Sequence, residues 1–254
     1  MTRFSANLGF LWSDLSLPDA IRAAKNAGFD AVECHWPYDI GAETVRATLT
    51  ETGLPMLSIN TSRGNHQVGE MGLNALPGRE FEARSAIDQA LAYAAQIGAE
   101  NIHALAGVTA ADGAWETFAE NLGYACVSAE KYGIGVLIEP INTFDVPGYF
   151  LSKTDQAIEL IQAVNTSNLK LMFDAYHVER MEGAVCPRLE KLMPWIGHIQ
   201  FAGVPNRERP DQGGLDYKTV FQTIKHLGYA APLGAEYKCV GETENTLGWM
   251  QTLR

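Results

Sequence analysis

The chain has 254 residues, of which 46% are hydrophobic and 19% charged, the proportions of an ordinary water-soluble globular protein. Its net charge of −11 and pI near 5 oppose binding to phosphate backbones, so nucleic acid is excluded as the main partner. No apolar run approaches the roughly 20 residues of a membrane span, and "MTRFSANLGFLW" carries no export signal, so the expected location is cytoplasmic, with no membrane partner.

In chain order, short apolar runs read as strands: "RFSANLG" from Arg3, "DAVECHW" from Asp30, "PMLSINT" from Pro55 and "NIHALAG" from Asn101. "GVLIEP" from Gly135, "LKLMFDA" from Leu169, "IGHIQFAG" from Ile196 and "LGAEY" from Leu233 continue the series to eight. Stretches with helical apolar spacing lie between them. "LPDAIRAAKNAGF" has Pro18 in its first turn and closes at Gly28, as a capped helix should. "GREFEARSAIDQALAYAAQIGA" is the longest, and "DYKTVFQTIKHLGY" closes at Gly228. Eight strands alternating with helices over this length predict a single (β/α)8 TIM barrel domain, residues 1–254. A doubly wound sheet would want a GxGxxG turn after the first strand, and there is none. The longest irregular segment, about residues 62–80, follows the third strand, and loops of that length often cover active sites.

In such a barrel the C-terminal strand ends face the active site. Four of them carry oxygen donors: Glu139, Asp174, Gln200 and Glu236. One acidic strand end is commonly a helix cap or ion-pair partner. Four together favour one cation, because three carboxylates without one would repel each other and raise each other's pKa. Hard oxygen donors point to Mg²⁺ or Mn²⁺ rather than zinc. The cysteines Cys34, Cys126, Cys186 and Cys239 are widely spaced and read as free thiols, so sulfur does not hold the metal. His177, three residues after Asp174, is placed to bond a substrate oxygen or to support a ligand; His198 reads equally as a ligand neighbour or as core. Trp12, Trp36 and Tyr38 are candidate walls of a small polar pocket, with core packing the alternative.

"RFSANLGFLW", "LPGREFE", "IEPINTFDVPGYFL", "FDAYHVERMEG", "HIQFAGVPNR" and "AEYK" resemble the hydroxypyruvate isomerase family of xylose isomerase-like TIM barrels, in order along nearly the whole chain. The resemblance implies a divalent metal on Glu139, Asp174, Gln200 and Glu236, with Glu139 and Glu236 as the catalytic acid/base pair. It implies that His177 and Arg207 contact the substrate; Glu70, in the long loop, and Lys238, a charge at the rim, complete the candidate substrate contacts. The implied reaction interconverts hydroxypyruvate and tartronate semialdehyde through an enediolate, with a small anionic sugar acid as partner and a homo-oligomer as the family habit.

The chain departs from the family where Gly69-Glu70-Met71-Gly72 replaces Gly-Glu-Arg-Gly, and where Arg209 and Gly214 are altered. Arg63 or Arg209 is expected to supply the lost guanidinium. These loop changes keep open an isomerase or epimerase of another short sugar acid or ketose, such as a 2-oxo-tetronate isomerase. A sugar-acid-binding barrel without turnover is a further alternative, although it would not need both glutamates. A nuclease on the same barrel would need a basic groove.

Overall fold

A computed structural model describes residues 2–254. Eight parallel strands close into one barrel in chain order: β1 (Phe4–Asn7), β2 (Ala31–Cys34), β3 (Met56–Asn60), β4 (Asn101–His103), β5 (Gly135–Ile138), β6 (Leu169–Asp174), β7 (Ile196–Phe201) and β8 (Leu233–Ala235). All eight expected strands are present, and β8 pairs back onto β1 through Ser5 opposite Gly234. Every residue of β1 and β2 is buried, because one face meets the barrel interior and the other meets the helices.

The helices are α1 (Leu17–Asn26), α2 (Ala42–Thr52), α3 (Glu80–Ile97), α4 (Ala114–Glu130), α5 (Thr154–Val164), α6 (Ala175–Met181), α7 (Val185–Leu192), α8 (Tyr217–His226) and α9 (Trp249–Leu253). Their ends follow local chemistry. Ser16 accepts the Asp19 N–H at the start of α1, and Asp216 accepts from Lys218 and Thr219 at the start of α8. The helix α3 stops where Gly98 turns left-handed at φ +75°. None of the described helices is long and apolar enough to cross a membrane.

The segment after β3 is irregular apart from a single 3-10 turn, His66–Val68, and is fastened to the barrel at several points. Gly72 donates to the Arg63 carbonyl at 2.9 Å, and Ala75 to the Ala106 carbonyl at 2.8 Å. At Gly72, φ is +110° and a Cβ would come within 2.5 Å of the Leu105 carbonyl oxygen, so only glycine allows this approach.

Candidate active site

The residues expected at the barrel mouth stand at the C-terminal strand ends. Glu139 follows β5 directly, before Pro140 interrupts the backbone donors; Asp174 ends β6; Gln200 lies opposite it on β7; and Glu236 follows β8. All four are nearly sealed from solvent, at 5%, 1%, 3% and 5% exposure.

Glu139, Asp174 and His177 each offer an atom within 4.8 Å of the other two. Glu236 stands outside that group and is held by its own partners. Its Oε1 accepts from Asn7 Nδ2 at 3.1 Å and from His35 Nε2 at 3.0 Å, and its Oε2 accepts from Arg207 Nη2 at 2.7 Å. The same Arg207 nitrogen lies 3.7 Å from Asp174 Oδ2, so one guanidinium links the two acids. Arg207 adopts φ +59°, rare for a side chain of this size. It is held there by the Lys238 N–H, which donates to its carbonyl at 2.7 Å, and its guanidinium lies 4.7 Å from the Phe10 ring centre and 5.2 Å from that of Tyr176.

His177 has a defined tautomer. Its Nδ1 faces the backbone N–H of Asn142 at 3.2 Å, and the Asn142 side-chain nitrogen at 2.6 Å. A backbone N–H only donates, so Nδ1 accepts and the neutral ring carries its hydrogen on Nε2. That Nε2 lies 3.6 Å from both Glu139 Oε1 and Asp174 Oδ2. Burial, with Arg207 nearby, lowers the His177 pKa to about 3, and the ring is neutral at ordinary pH. A protonated Nε2 has no lone pair for a metal but can donate to an oxygen.

The electrostatics divide the carboxylates. Burial drives Glu139 well above the carboxylate range, with repulsion from Glu236 and Asp174 adding to it. Burial also lifts Asp174 to about 7, against the pull of Arg207. Glu236 is equally buried, yet Arg207 and the His35 hydrogen bond outweigh desolvation and bring it down to about 2. Three buried oxygens of the expected ligand set have no hydrogen-bond partner among the described residues: Glu139 Oε1, Asp174 Oδ2 and Gln200 Oε1. Orphaned buried acceptors on crowded carboxylates are costly unless something positive meets them. The donor set therefore fits a hard divalent cation, which would relieve the repulsion that raises Glu139 and Asp174.

Other expected residues fall differently. Glu70 does not offer a free carboxylate: Oε2 accepts the Asn65 N–H at 2.6 Å and Oε1 pairs with Arg79, so it closes the long loop on itself. The Lys238 side chain is exposed, and only its backbone reaches Arg207. Trp12 is core, edge-on to Phe29 and hydrogen-bonded to Glu244, while Tyr38 bonds the Asn60 carbonyl and packs on Tyr93. Only Trp36 lies close to the site, beside His35. Arg209 sits 3.0 Å from Asp211, whereas Arg63 lies over the Trp36 ring at 4.3 Å with no carboxylate partner among the described residues.

Four further residues belong to the site: Asn7 and His103 end β1 and β4 and His35 follows β2, positions that the strand-end rule marks, whereas Glu33 lies inside β2 and carries no such mark. His103 ends β4 with Nδ1 3.7 Å from Glu139 Oε2, and burial lowers its pKa to about 3.

The model of the xylose isomerase-like TIM barrel family matches residues 21–254. The chain belongs to this family. Within it, the chain is 42% identical to 2-oxo-tetronate isomerase of Cupriavidus necator, over 99% of this chain and 98% of that one. It is 38% identical to hydroxypyruvate isomerase of Escherichia coli over the full length of both. A crystal structure described as AP endonuclease, family 2, from Brucella melitensis superposes with a TM-score of 0.96 at 36% identity, covering both chains completely. This xylose isomerase-like barrel is thus a member of the hydroxypyruvate and 2-oxo-tetronate isomerase group.

Proposed function

We propose that this protein isomerises a short 2-oxo sugar acid by moving its carbonyl to the neighbouring carbon, and that it takes a 2-oxo-tetronate in preference to hydroxypyruvate. Both compounds contain carboxylate, ketone and a hydroxyl-bearing carbon in sequence; the tetronate adds one hydroxymethyl group. The four-carbon preference rests on the higher identity to the 2-oxo-tetronate isomerase, 42% against 38%, and revises the expectation of hydroxypyruvate. The observation that carries the reaction class is a pair of buried glutamates at the ends of β5 and β8, Glu139 beside Asp174 and His177 and Glu236 held by Arg207, His35 and Asn7. Two separately held carboxyl groups facing one mouth are what an acid and a base acting on one substrate require.

Glu139, Asp174, Gln200 and Glu236 would hold the cation, which would supply Lewis-acid stabilisation of the negative charge that develops as the proton leaves. Of the glutamates, Glu236 is the one kept ionised, so it removes the proton from the hydroxyl-bearing carbon, and the electron pair moves into an enediolate. Glu139, protonated, delivers a proton to the former ketone carbon as the substrate's hydroxyl proton passes to the former ketone oxygen, so the carbonyl moves with no change in composition; passage of the captured proton from Glu236 back to Glu139 through solvent resets the pair. The Nε2–H of His177, facing the same space as Glu139 and Asp174, donates to a substrate oxygen. Arg207 Nη1 has no partner among the described residues, which leaves one edge of the fork for the substrate carboxylate. A nucleic-acid substrate finds no support, because the chain carries a net charge of −11.

Incubating metal-free and Mn²⁺-restored protein with each acid, with product NMR, tests the reading. Expected is metal-dependent conversion of both, with higher kcat/KM for the tetronate. Full turnover after exhaustive chelation, or conversion of neither acid, would reject it.

A further inference from the structure

Glu33 has no part in the proton transfer just described, yet it is 2% exposed in the middle of β2 and surrounded by donors. Its Oε1 accepts from Gln200 Nε2 at 2.8 Å and from Asn7 Nδ2 at 3.2 Å. Its Oε2 accepts from His198 Nε2 at 2.6 Å and from Ser5 Oγ at 3.4 Å. A carboxylate accepts and an amide can turn either end toward it, so Glu33 takes the NH2 end of Gln200. The carbonyl end is thereby turned the other way, and this Oε1 is the buried atom without a partner.

The backbone makes room for this contact. Gly234 on β8 lies opposite Gln200, and a Cβ there would sit 2.6 Å from Glu33 Oε1 and 2.8 Å from Gln200 Cγ. The glycine leaves the gap through which the two side chains meet.

We propose that Glu33 is a positioning residue that locks the Gln200 amide with its oxygen, rather than its NH2 group, presented to the cation. The inference rests on the reading of Gln200 as a ligand. An amide free to turn over would spend part of its time aiming hydrogens at a positive ion. The competing role is a buried charge paired only with His198, which would support the fold or attract cations without regard to Gln200.

A double-mutant cycle separates these roles, with Mn²⁺ titrated calorimetrically into metal-free protein. Glu33→Gln can offer an N–H as readily as an oxygen, so it should weaken Mn²⁺ binding by roughly 10- to 100-fold, the range for groups that orient ligands. In a Gln200→Ala background the same change should have almost no further effect. An equal loss in both backgrounds overturns the proposal in favour of a charge or folding role. If Gln200→Ala itself leaves affinity intact, the ligand reading fails instead. Glu33→Asp retains the charge on a shorter arm and Gly234→Ala wedges the pair apart; both should reproduce the loss. Either of these variants folding normally with wild-type affinity would likewise overturn the proposal.

Discussion

Replacing Asp174 with asparagine should stabilise the metal-free protein above neutral pH. Burial lifts this carboxyl from the ordinary 3.8 to about 7, with Arg207 partly opposing it. The folded state then keeps a proton that the unfolded chain has released, so stability falls as pH rises between about 4 and 7 and stays reduced above that window. A displacement of about 3 units corresponds to roughly 4 kcal/mol. Asparagine lacks the charge but keeps the oxygen that accepts the Tyr176 N–H at 2.8 Å, so the start of α6 is preserved. In a domain of this size that difference is on the order of 10 °C in Tm. Thermal melts in chelator from pH 4 to 9 should show Asp174→Asn melting well above wild type at pH 8.5, with the two curves meeting near pH 4. Excess Mn²⁺ should raise the wild type far more than the variant, because the wild type binds the ion in its folded state. A variant that melts below wild type at alkaline pH without metal would refute the picture of an uncompensated acidic cluster.

Glu139→Gln should lower kcat by at least roughly 10²-fold, the general acid/base contribution, while circular dichroism remains unchanged. Retention of wild-type turnover would remove Glu139 from the proton path. Arg63→Ala should raise KM for an anionic substrate by about 10-fold or more, the worth of one charge-assisted hydrogen bond. Arg209→Ala should leave KM unchanged, because Asp211 already engages that guanidinium. Arg207→Lys keeps the charge but not the fork, and should raise KM and lower kcat together, since Arg207 also holds Glu236.

The barrel was legible because its strands and capped helices alternate with distinct periods, and the barrel rule then singles out strand ends. Glu139, Asp174, Gln200 and Glu236 could be read this way from their positions alone. Glu33 could not: both faces of a barrel strand are buried, so Val32, Glu33 and Cys34 give no alternation that says which side chain looks inward. Its partners His198 and Gln200 are 165 and 167 residues away in sequence. The partners of Glu70 are hidden for the opposite reason. Its engagement with Arg79 and Asn65 is local, but it depends on the path of an irregular loop that no periodicity encodes. Trp12 lies in the turn beyond the end of β1, and Thr243 and Glu244, far along the chain, bond its backbone and indole nitrogens and hold it in the core.

The most direct test is anomalous scattering from crystals of the protein soaked in Mn²⁺. A single strong peak about 2.0–2.3 Å from oxygens of Glu139, Asp174, Gln200 and Glu236, with the Gln200 nitrogen still on Glu33, is the expected result. A peak bound through His177 Nε2 in place of Gln200, or none at the barrel mouth, would contradict it.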